Sequence, residues 1–190
     1  MNLIRRFIIL ITLIVCFDII FGQSRLNDIA LYDIREQPVS LQLINKYKAT
    51  VFFFLSPDCP LCENYSLTIS NLRREFSENA VSFIGIFPGK YYEKIEIQSF
   101  MGKYHPPVKV LLDPDLSLTC FLGANVTPEA FVVNDQGKIL YQGKIDNWIA
   151  ALGKHRTVTT RFFLRDALIA ILAGKPVTVS QTEAIGCLIE

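Results

Sequence analysis

Apolar positions along this chain fall into two kinds of block: short unbroken runs, and longer stretches apolar at every third or fourth position. Ala49-Thr50-Val51-Phe52-Phe53-Phe54-Leu55 is a run apolar enough for a buried strand. After the turn residues Ser56-Pro57-Asp58, Leu67, Ile69, Leu72 and Phe76 recur at roughly helical spacing within residues 63–77. Residues 81–87 read as a second core strand closed by Pro88-Gly89, and residues 91–104 as a helix with Ile95, Phe100 and Met101 facing inward. A further strand is expected at 108–112, and Asp113-Pro114 opens a helix through Phe121. Past Thr127-Pro128 the period changes: residues 130–133, the turn Asn134-Asp135-Gln136-Gly137 and residues 138–142 carry a hairpin signal. Residues 161–172 then read as a helix with Phe162, Leu164, Ala167, Leu168 and Ile171 apolar, stopped by Gly174-Lys175-Pro176. Upstream, residues 26–35 suggest an opening strand and 39–45 a short helix, whereas 177–190 show no clear period. Strands alternating with helices before a terminal hairpin and helix predict an α/β sandwich around a central mixed sheet.

Composition alters this picture mainly at the N-terminus. The chain has 190 residues, 51% of them hydrophobic, which suits one domain with a substantial core. Arg5 and Arg6 precede an unbroken apolar run over residues 7–17 that Asp18 interrupts, and Ile20-Phe21-Gly22 offers a cleavage site before Gln23. Residues 1–22 therefore read as a secretory signal peptide, since a membrane-spanning helix needs about 20 apolar residues; an uncleaved anchor is the alternative. Cys16 follows Val15, a poor residue before a lipidated cysteine. The whole chain carries 19 Lys and Arg against 18 Asp and Glu. Removing residues 1–22 takes away Arg5, Arg6 and Asp18 and leaves a neutral balance. No basic patch argues for nucleic acid, and export would place four of the five cysteines where disulfides persist. The expected layout is a signal peptide at 1–22, a domain at 23–175 and a tail at 176–190 carrying Cys187.

The chemistry concentrates in Cys59-Pro60-Leu61-Cys62, between the strand and the helix. Two cysteines in a helix's first turn can close a small disulfide, and the free N–H groups and positive dipole end there favour a thiolate on the first. That is the machinery of thiol–disulfide exchange. The competing explanations are weaker. A zinc site needs about four ligands in close pairs, and Cys120, Cys187, His105 and His155 are scattered. A c-type haem site needs His after the second cysteine, where Glu63 stands. A purely structural disulfide remains the third alternative. No metal or other cofactor is called for. Four cysteines allow three connectivities, and the spacing makes Cys59–Cys62 the favoured pair.

Other features are less telling. Thr127-Pro128 stands before an apolar strand, an ordinary place for a strand-start proline. Cys187 is either a third redox thiol, a structural partner of Cys120, or a free thiol packed as a small hydrophobe. Cys120, among Leu116, Leu118, Phe121 and Leu122, is expected in the core. Gly85-Ile86-Phe87-Pro88-Gly89-Lys90 is one residue short of a phosphate loop, and Tyr91 replaces its Ser or Thr. His105 and His155 read as loop histidines, and Asp146 as a surface or turn residue.

Taken together, the chain resembles thioredoxin-fold proteins. More narrowly, it resembles exported bacterial redoxin-domain proteins related to the alkyl hydroperoxide reductase and thiol-specific antioxidant family. The resemblance covers about residues 26–190. It rests on Phe54-Leu55-Ser56-Pro57-Asp58-Cys59-Pro60-Leu61-Cys62, residues 83–89, Asp113-Pro114-Asp115, Thr127-Pro128-Glu129-Ala130-Phe131, Tyr141-Gln142-Gly143-Lys144-Ile145-Asp146, and Thr182-Glu183-Ala184-Ile185-Gly186-Cys187. It implies a three-layer sandwich with a mixed sheet, Cys59 as the attacking thiolate and Cys62 as the resolving thiol. It also implies a cis Thr127–Pro128 bond lying against the cysteines where a substrate strand docks, with Pro60 and Leu61 beside it. Partners would be protein thiols or disulfides and an unidentified electron donor, in the periplasm or another extracytoplasmic space; membrane contact would come only through an uncleaved N-terminus. A thiol peroxidase, in which Cys59 becomes a sulfenic acid and condenses with Cys62 or Cys187, is the alternative activity, and a non-enzymatic binding domain the third. Several positions depart from family patterns, among them Pro60-Leu61, where thioredoxins have Gly-Pro between the cysteines. Phe53 stands where many thioredoxins have a buried acid, Asp58 where they have Trp, and Phe52 where peroxiredoxins have Pro; Ser56 does match the peroxiredoxin Thr or Ser.

Overall fold

The computed structural model describes residues 26, 29–78, 80–104 and 108–190. The signal-peptide segment, Cys16 and His105 lie outside them. Eleven strands are described: β1 (Leu31–Tyr32), β2 (Pro38–Val39), β3 (Ala49–Phe54), β4 (Val81–Pro88), β5 (Lys109–Asp113), β6 (Val126–Thr127), β7 (Glu129–Val133), β8 (Ile139–Gly143), β9 (Ile149–Ala151), β10 (Lys154–His155) and β11 (Cys187–Leu188). The helices are α1 (Pro60–Glu75), α2 (Lys94–Tyr104), α3 (Ser117–Leu122) and α4 (Phe163–Leu172), with a 3-10 turn at Leu41–Lys46.

Seven strands form one mixed sheet in the order β2-β1-β5-β4-β3-β7-β8. Every residue of β3 is buried, because β4 pairs with it in parallel, β7 antiparallel, and helices cover both faces. Alternate side chains go to opposite faces. Val51 and Phe53 join Leu55, Cys59, Cys62 and residues of α1, α2 and α4 in one apolar cluster. Phe52 and Phe54 join Leu41 and Ile44 of the 3-10 turn and Leu118 and Leu122 of α3 in the other. The predicted three-layer α/β sandwich is thus the observed architecture.

The cysteine helix starts where the sequence stops permitting a strand. Pro60 occupies the first helical position, where its fixed φ is preorganised and its missing N–H costs nothing. Arg73 and Arg74 sit at the negative end of the helix dipole. Cys62, Tyr65, Ser66, Ile69 and Leu72 form the buried stripe. Leu67, grouped by spacing with Ile69, Leu72 and Phe76, is 68% exposed, because two residues turn the helix through about 200° from Ile69. The same two-residue offset exposes Ile95 and buries Ile97 in α2.

At the N-terminal side, the expected strand over 26–35 narrows to β1. Asp33 breaks it, accepting the N–H groups of Arg35 and Gln37 and turning the chain into β2. The expected helix at 39–45 is the 3-10 turn, with the Ser40 hydroxyl accepting from Gln42 N–H. The β7–β8 hairpin turns as predicted, with Asn134 Oδ1 accepting from Gln136 and Lys138 and Gly137 at φ +77°. Phe162 precedes α4 and is exposed, while Leu164, Ala167 and Leu168 face the core.

The aperiodic tail is tied down at both ends. Gln142 N–H donates to Ser180 O at 2.9 Å and Thr182 N–H to Gln142 O at 3.0 Å, running the tail along the β8 edge. Gly143 allows this approach: its φ is +122°, and a Cβ there would lie 1.9 Å from Thr182 O. Beyond it, β11 pairs antiparallel with β6.

Candidate active site

Both cysteines of the motif sit at the start of α1, but in different settings. Cys59 is the N-cap, with extended backbone at φ −85° and ψ 111°. Cys62 lies within the first turn, fully buried against the core. The sequence favours a Cys59–Cys62 bond; the structure instead bonds Cys59 to Cys187, with Cα atoms 6.1 Å apart, and leaves Cys62 free. Strand pairing supplies the reason. β11 lies antiparallel to β6 with Cys187 opposite Thr127, and Cys59 Sγ lies 3.1 Å from the Thr127 carbonyl oxygen. The tail that shows no period in the sequence therefore carries its cysteine into the site.

The Thr127–Pro128 peptide is cis, as the family resemblance implies, and both residues are buried beside the cysteines. The carbonyl of Thr127 meets Cys59, while its hydroxyl is buried without a hydrogen-bond partner. That hydroxyl lies close enough to Cys62 to favour its thiolate, though not as a well-formed hydrogen bond. Ser56 N–H points at Cys62 Sγ from 3.4 Å. Burial nevertheless dominates and pushes the Cys62 thiol up to about 12, with Asp58 and Glu63 adding a smaller push in the same direction. Near neutral pH, Cys62 in this arrangement is a protonated, unreactive thiol.

Asp58 stands at the mouth. Its Oδ1 accepts from the Ser56 hydroxyl and, at 2.5 Å, from Tyr92 O–H. These two donors hold its carboxyl below the usual carboxylate range, and burial together with Asp58 raises the Tyr92 phenol. Pro60 is exposed and Leu61 half-buried between the cysteines. A cleft of about 360 Å³ opens beside them, lined by Ser56, Asp58, Tyr92, Thr127 and the tail from Cys187 onward.

Several expectations need correction. Cys120 is exposed rather than in the core, because α3 turns Leu118 and Leu122 inward and Cys120 the other way. Asp146 is buried, not a surface residue: it accepts Tyr65 O–H at 2.8 Å and Trp148 N–H at 2.8 Å, securing α1 to the loop after β8. His155 is exposed, its ring 5.2 Å from that of Trp148. Among the described residues, no group of His, Cys, Asp and Glu gathers as a metal site, and no helix is long and apolar enough to cross a membrane. Two contributors escaped the sequence reading. Tyr92 reaches the site from the loop before α2, because the helix expected from residue 91 begins only at Lys94. Gly186 is needed because a Cβ there would lie 2.3 Å from Thr127 O; its place directly before Cys187 was the available clue.

Comparison with known proteins agrees with this fold. The model of the Redoxin family matches residues 23–148. No curated protein matches the chain. Among solved structures, a hypothetical protein of Sinorhizobium meliloti is 22% identical, with a TM-score of 0.73 over 84% of this chain and 88% of its own. An uncharacterized conserved protein of Geobacillus kaustophilus is 23% identical, with a TM-score of 0.72 over 85% and 87%. A secreted Mycobacterium tuberculosis disulfide oxidoreductase, homologous to E. coli DsbE, is 20% identical, with a TM-score of 0.54 over 80% and 98%. These likenesses show a shared thioredoxin-like fold.

Proposed function

The chain belongs to the Redoxin family, and from that premise we propose that it is an exported thiol–disulfide oxidoreductase acting on protein partners. The observation that carries this reading is a disulfide at the N-cap of α1, made to a cysteine on a separate strand beside the cis-proline turn. A client sulfur would meet Cys59 in the same way. In the proposed cycle Cys59 thiolate attacks a client disulfide, one client sulfur leaves as a thiol, and a mixed disulfide forms. Cys62 then attacks Cys59, releasing the client's second thiol and leaving a Cys59–Cys62 bond for an electron donor to reduce. The Ser56 N–H and the partnerless Thr127 hydroxyl would receive the charge on Cys62 during that step. Thr127, Pro128, Pro60 and Leu61 shape the surface on which the client lies. Export is read from Arg5, Arg6 and the apolar run at 7–17.

The Cys59–Cys187 bond also favours a second reading. A thiol peroxidase whose Cys59 sulfenic acid condensed with Cys187 would come to rest in this same state. Two measurements on the full chain separate them. With a protein disulfide as substrate, the reduced Cys62→Ser/Cys187→Ser chain should accumulate a Cys59 mixed disulfide, visible by mass spectrometry. With hydrogen peroxide and a dithiol, the exchange reading expects turnover no faster than a free cysteine gives. Fast peroxide turnover without any trapped client would overturn it in favour of the peroxidase.

A further inference from the structure

We propose that the C-terminal strand is a tethered stand-in for the client, so that the site takes extended segments with glycine immediately before the reacting cysteine and is closed while Cys187 holds Cys59. The proposal rests on the exchange chemistry proposed above and adds its substrate class and its regulation.

Three observations carry it. First, the tail is held as an added strand: Cys187 stands opposite Thr127 and Leu188 opposite Val126, and Ile189 N–H donates to Asn125 O at 3.0 Å. Main-chain pairing of this kind holds any sequence, and side-chain fit then selects among them. Second, selection at the position before the cysteine is severe. A Cβ on Gly186 would sit 2.3 Å from Thr127 O and 2.7 Å from Thr127 C, both backbone atoms of the buried cis-proline turn that cannot swing aside. On the other side the demand is slight, since Leu188 is 77% exposed. Third, the tail is anchored upstream independently of the disulfide. Thr182 Oγ1 accepts Lys144 N–H at 2.8 Å and lies 2.9 Å from Tyr141 Oη. Residues beyond Thr182 can therefore leave the β6 edge while the chain stays attached beside it.

Opening balances as follows. A dithiol donor's thiolate attacks Cys187 Sγ, the Cys59–Cys187 bond breaks, and Cys59 leaves as a thiolate. The donor's second thiol then attacks the donor–Cys187 bond, so that the donor ends as a disulfide and two electrons have reduced the protein. The freed edge of β6 then accepts a client strand in place of the tail.

The test uses the full chain as Cys62→Ser/Cys187→Ser, in which Cys59 is the motif's only thiol and no disulfide ties the tail to it. Two peptides with the sequence of residues 183–190, one with glycine and one with alanine before the cysteine, are each supplied as the mixed disulfide with 2-thiopyridine. Peptide-linked Cys59 should form about tenfold or more faster from the glycine peptide, and Cys59 of the oxidised wild-type chain should be linked by neither until reduced, whatever the exposed Cys120 takes up. Equal rates for the two peptides, or trapping at Cys59 of the oxidised wild type, would overturn the proposal. If Cys59 reacts with dithiodipyridine but does not distinguish the peptides, exchange chemistry stands and only this inference fails. If Cys59 of a folded chain reacts with no disulfide at all, the functional reading fails first. Gly186→Ala with all cysteines present is the independent check. In glutathione buffers its Cys59–Cys187 fraction should fall by about tenfold relative to Cys59–Cys62, and an unchanged ratio would also overturn the proposal.

Discussion

The identity of the bonded pair can be weighed by stability, because the two possible disulfides close loops of very different length. Restricting the unfolded chain removes an entropy of about 2.1 + 1.5R ln n cal/mol/K for a loop of n residues. Cys59 and Cys187 are separated by 128 residues, which on that relation stabilises the oxidised protein by about 5 kcal/mol at 25 °C. A Cys59–Cys62 bond would close a loop of only a few residues and stabilise it by about 2 kcal/mol. The perturbation is reduction of three full-length chains: wild type, Cys62→Ser, which retains only the long loop, and Cys187→Ser, which retains only the short one. Urea unfolding followed by far-UV circular dichroism, oxidised and reduced, gives the assay. With a slope of about 2 kcal/mol/M, the difference of about 3 kcal/mol becomes a midpoint shift roughly 1.5 M larger for wild type and Cys62→Ser than for Cys187→Ser. Thermal unfolding should show the same ordering, separated by roughly 6–12 °C for a protein of this size. Equal reduction-induced shifts in wild type and Cys187→Ser would refute the long-loop bond.

Two further outcomes test the environments of the remaining groups. Burial holds the Cys62 thiol up near 12, and thiolate is the reactive form, so iodoacetamide labelling of Cys62 should rise about tenfold per pH unit from pH 7 to 10 without levelling. The exposed Cys120 should label first throughout, and a plateau for Cys62 below pH 9, read by peptide mass spectrometry, would count against burial as the cause. Tyr65→Phe removes the hydroxyl that Asp146 accepts at 2.8 Å inside the core, and should cost about 1.5–3 kcal/mol in urea unfolding. A loss under about 0.5 kcal/mol would mean that the Trp148 N–H alone satisfies the carboxylate.

The fold was legible where a segment's own pattern decides its structure. Residues 49–55 are apolar at nearly every position because both faces of β3 are covered, and the chain announces that directly. The β7–β8 turn was equally plain, since Asn134 and Gly137 supply its local chemistry. What failed was phase and context. Leu67 and Ile95 are apolar residues on the outer faces of helices whose stripes are set by Ile69 and Ile97, and composition cannot distinguish them. Asp146 read as a turn residue because its burial depends on Tyr65, 81 residues away in sequence. In the site, Cys59, Cys62, Thr127 and Pro128 were legible from spacing and resemblance. The bonding of Cys59 was not, because it depends on a strand only two residues long. Nothing periodic marks Cys187–Leu188; its pairing is created by Thr182 gripping the β8 edge and by a glycine that lets two backbones meet.

The same placement fixes the direction from which the closed site opens. Cys62 is beside Cys59 in sequence, yet its thiol is fully buried and raised to about 12, so it supplies almost no thiolate near neutral pH. Cys59 is itself fully buried, and an outside nucleophile cannot reach its sulfur. Cys187 is half-buried and lines the cleft that Ser56, Asp58 and Tyr92 share. In the proposed opening, attack therefore falls on Cys187, with Cys59 as the leaving group. That is the favourable order chemically as well, because exchange is faster when the departing sulfur is the better thiolate, and the N-terminus of a helix stabilises one. Asp58 partly opposes this by holding a carboxylate at the mouth, but Ser56 and Tyr92 hydrogen-bond it and take up part of its charge. A tail cysteine in this position thus does more than block the edge of β6. In the proposed opening it presents the donor with a half-buried cysteine at the cleft, whose reduction frees a thiolate at Cys59, the atom that the proposed exchange needs next.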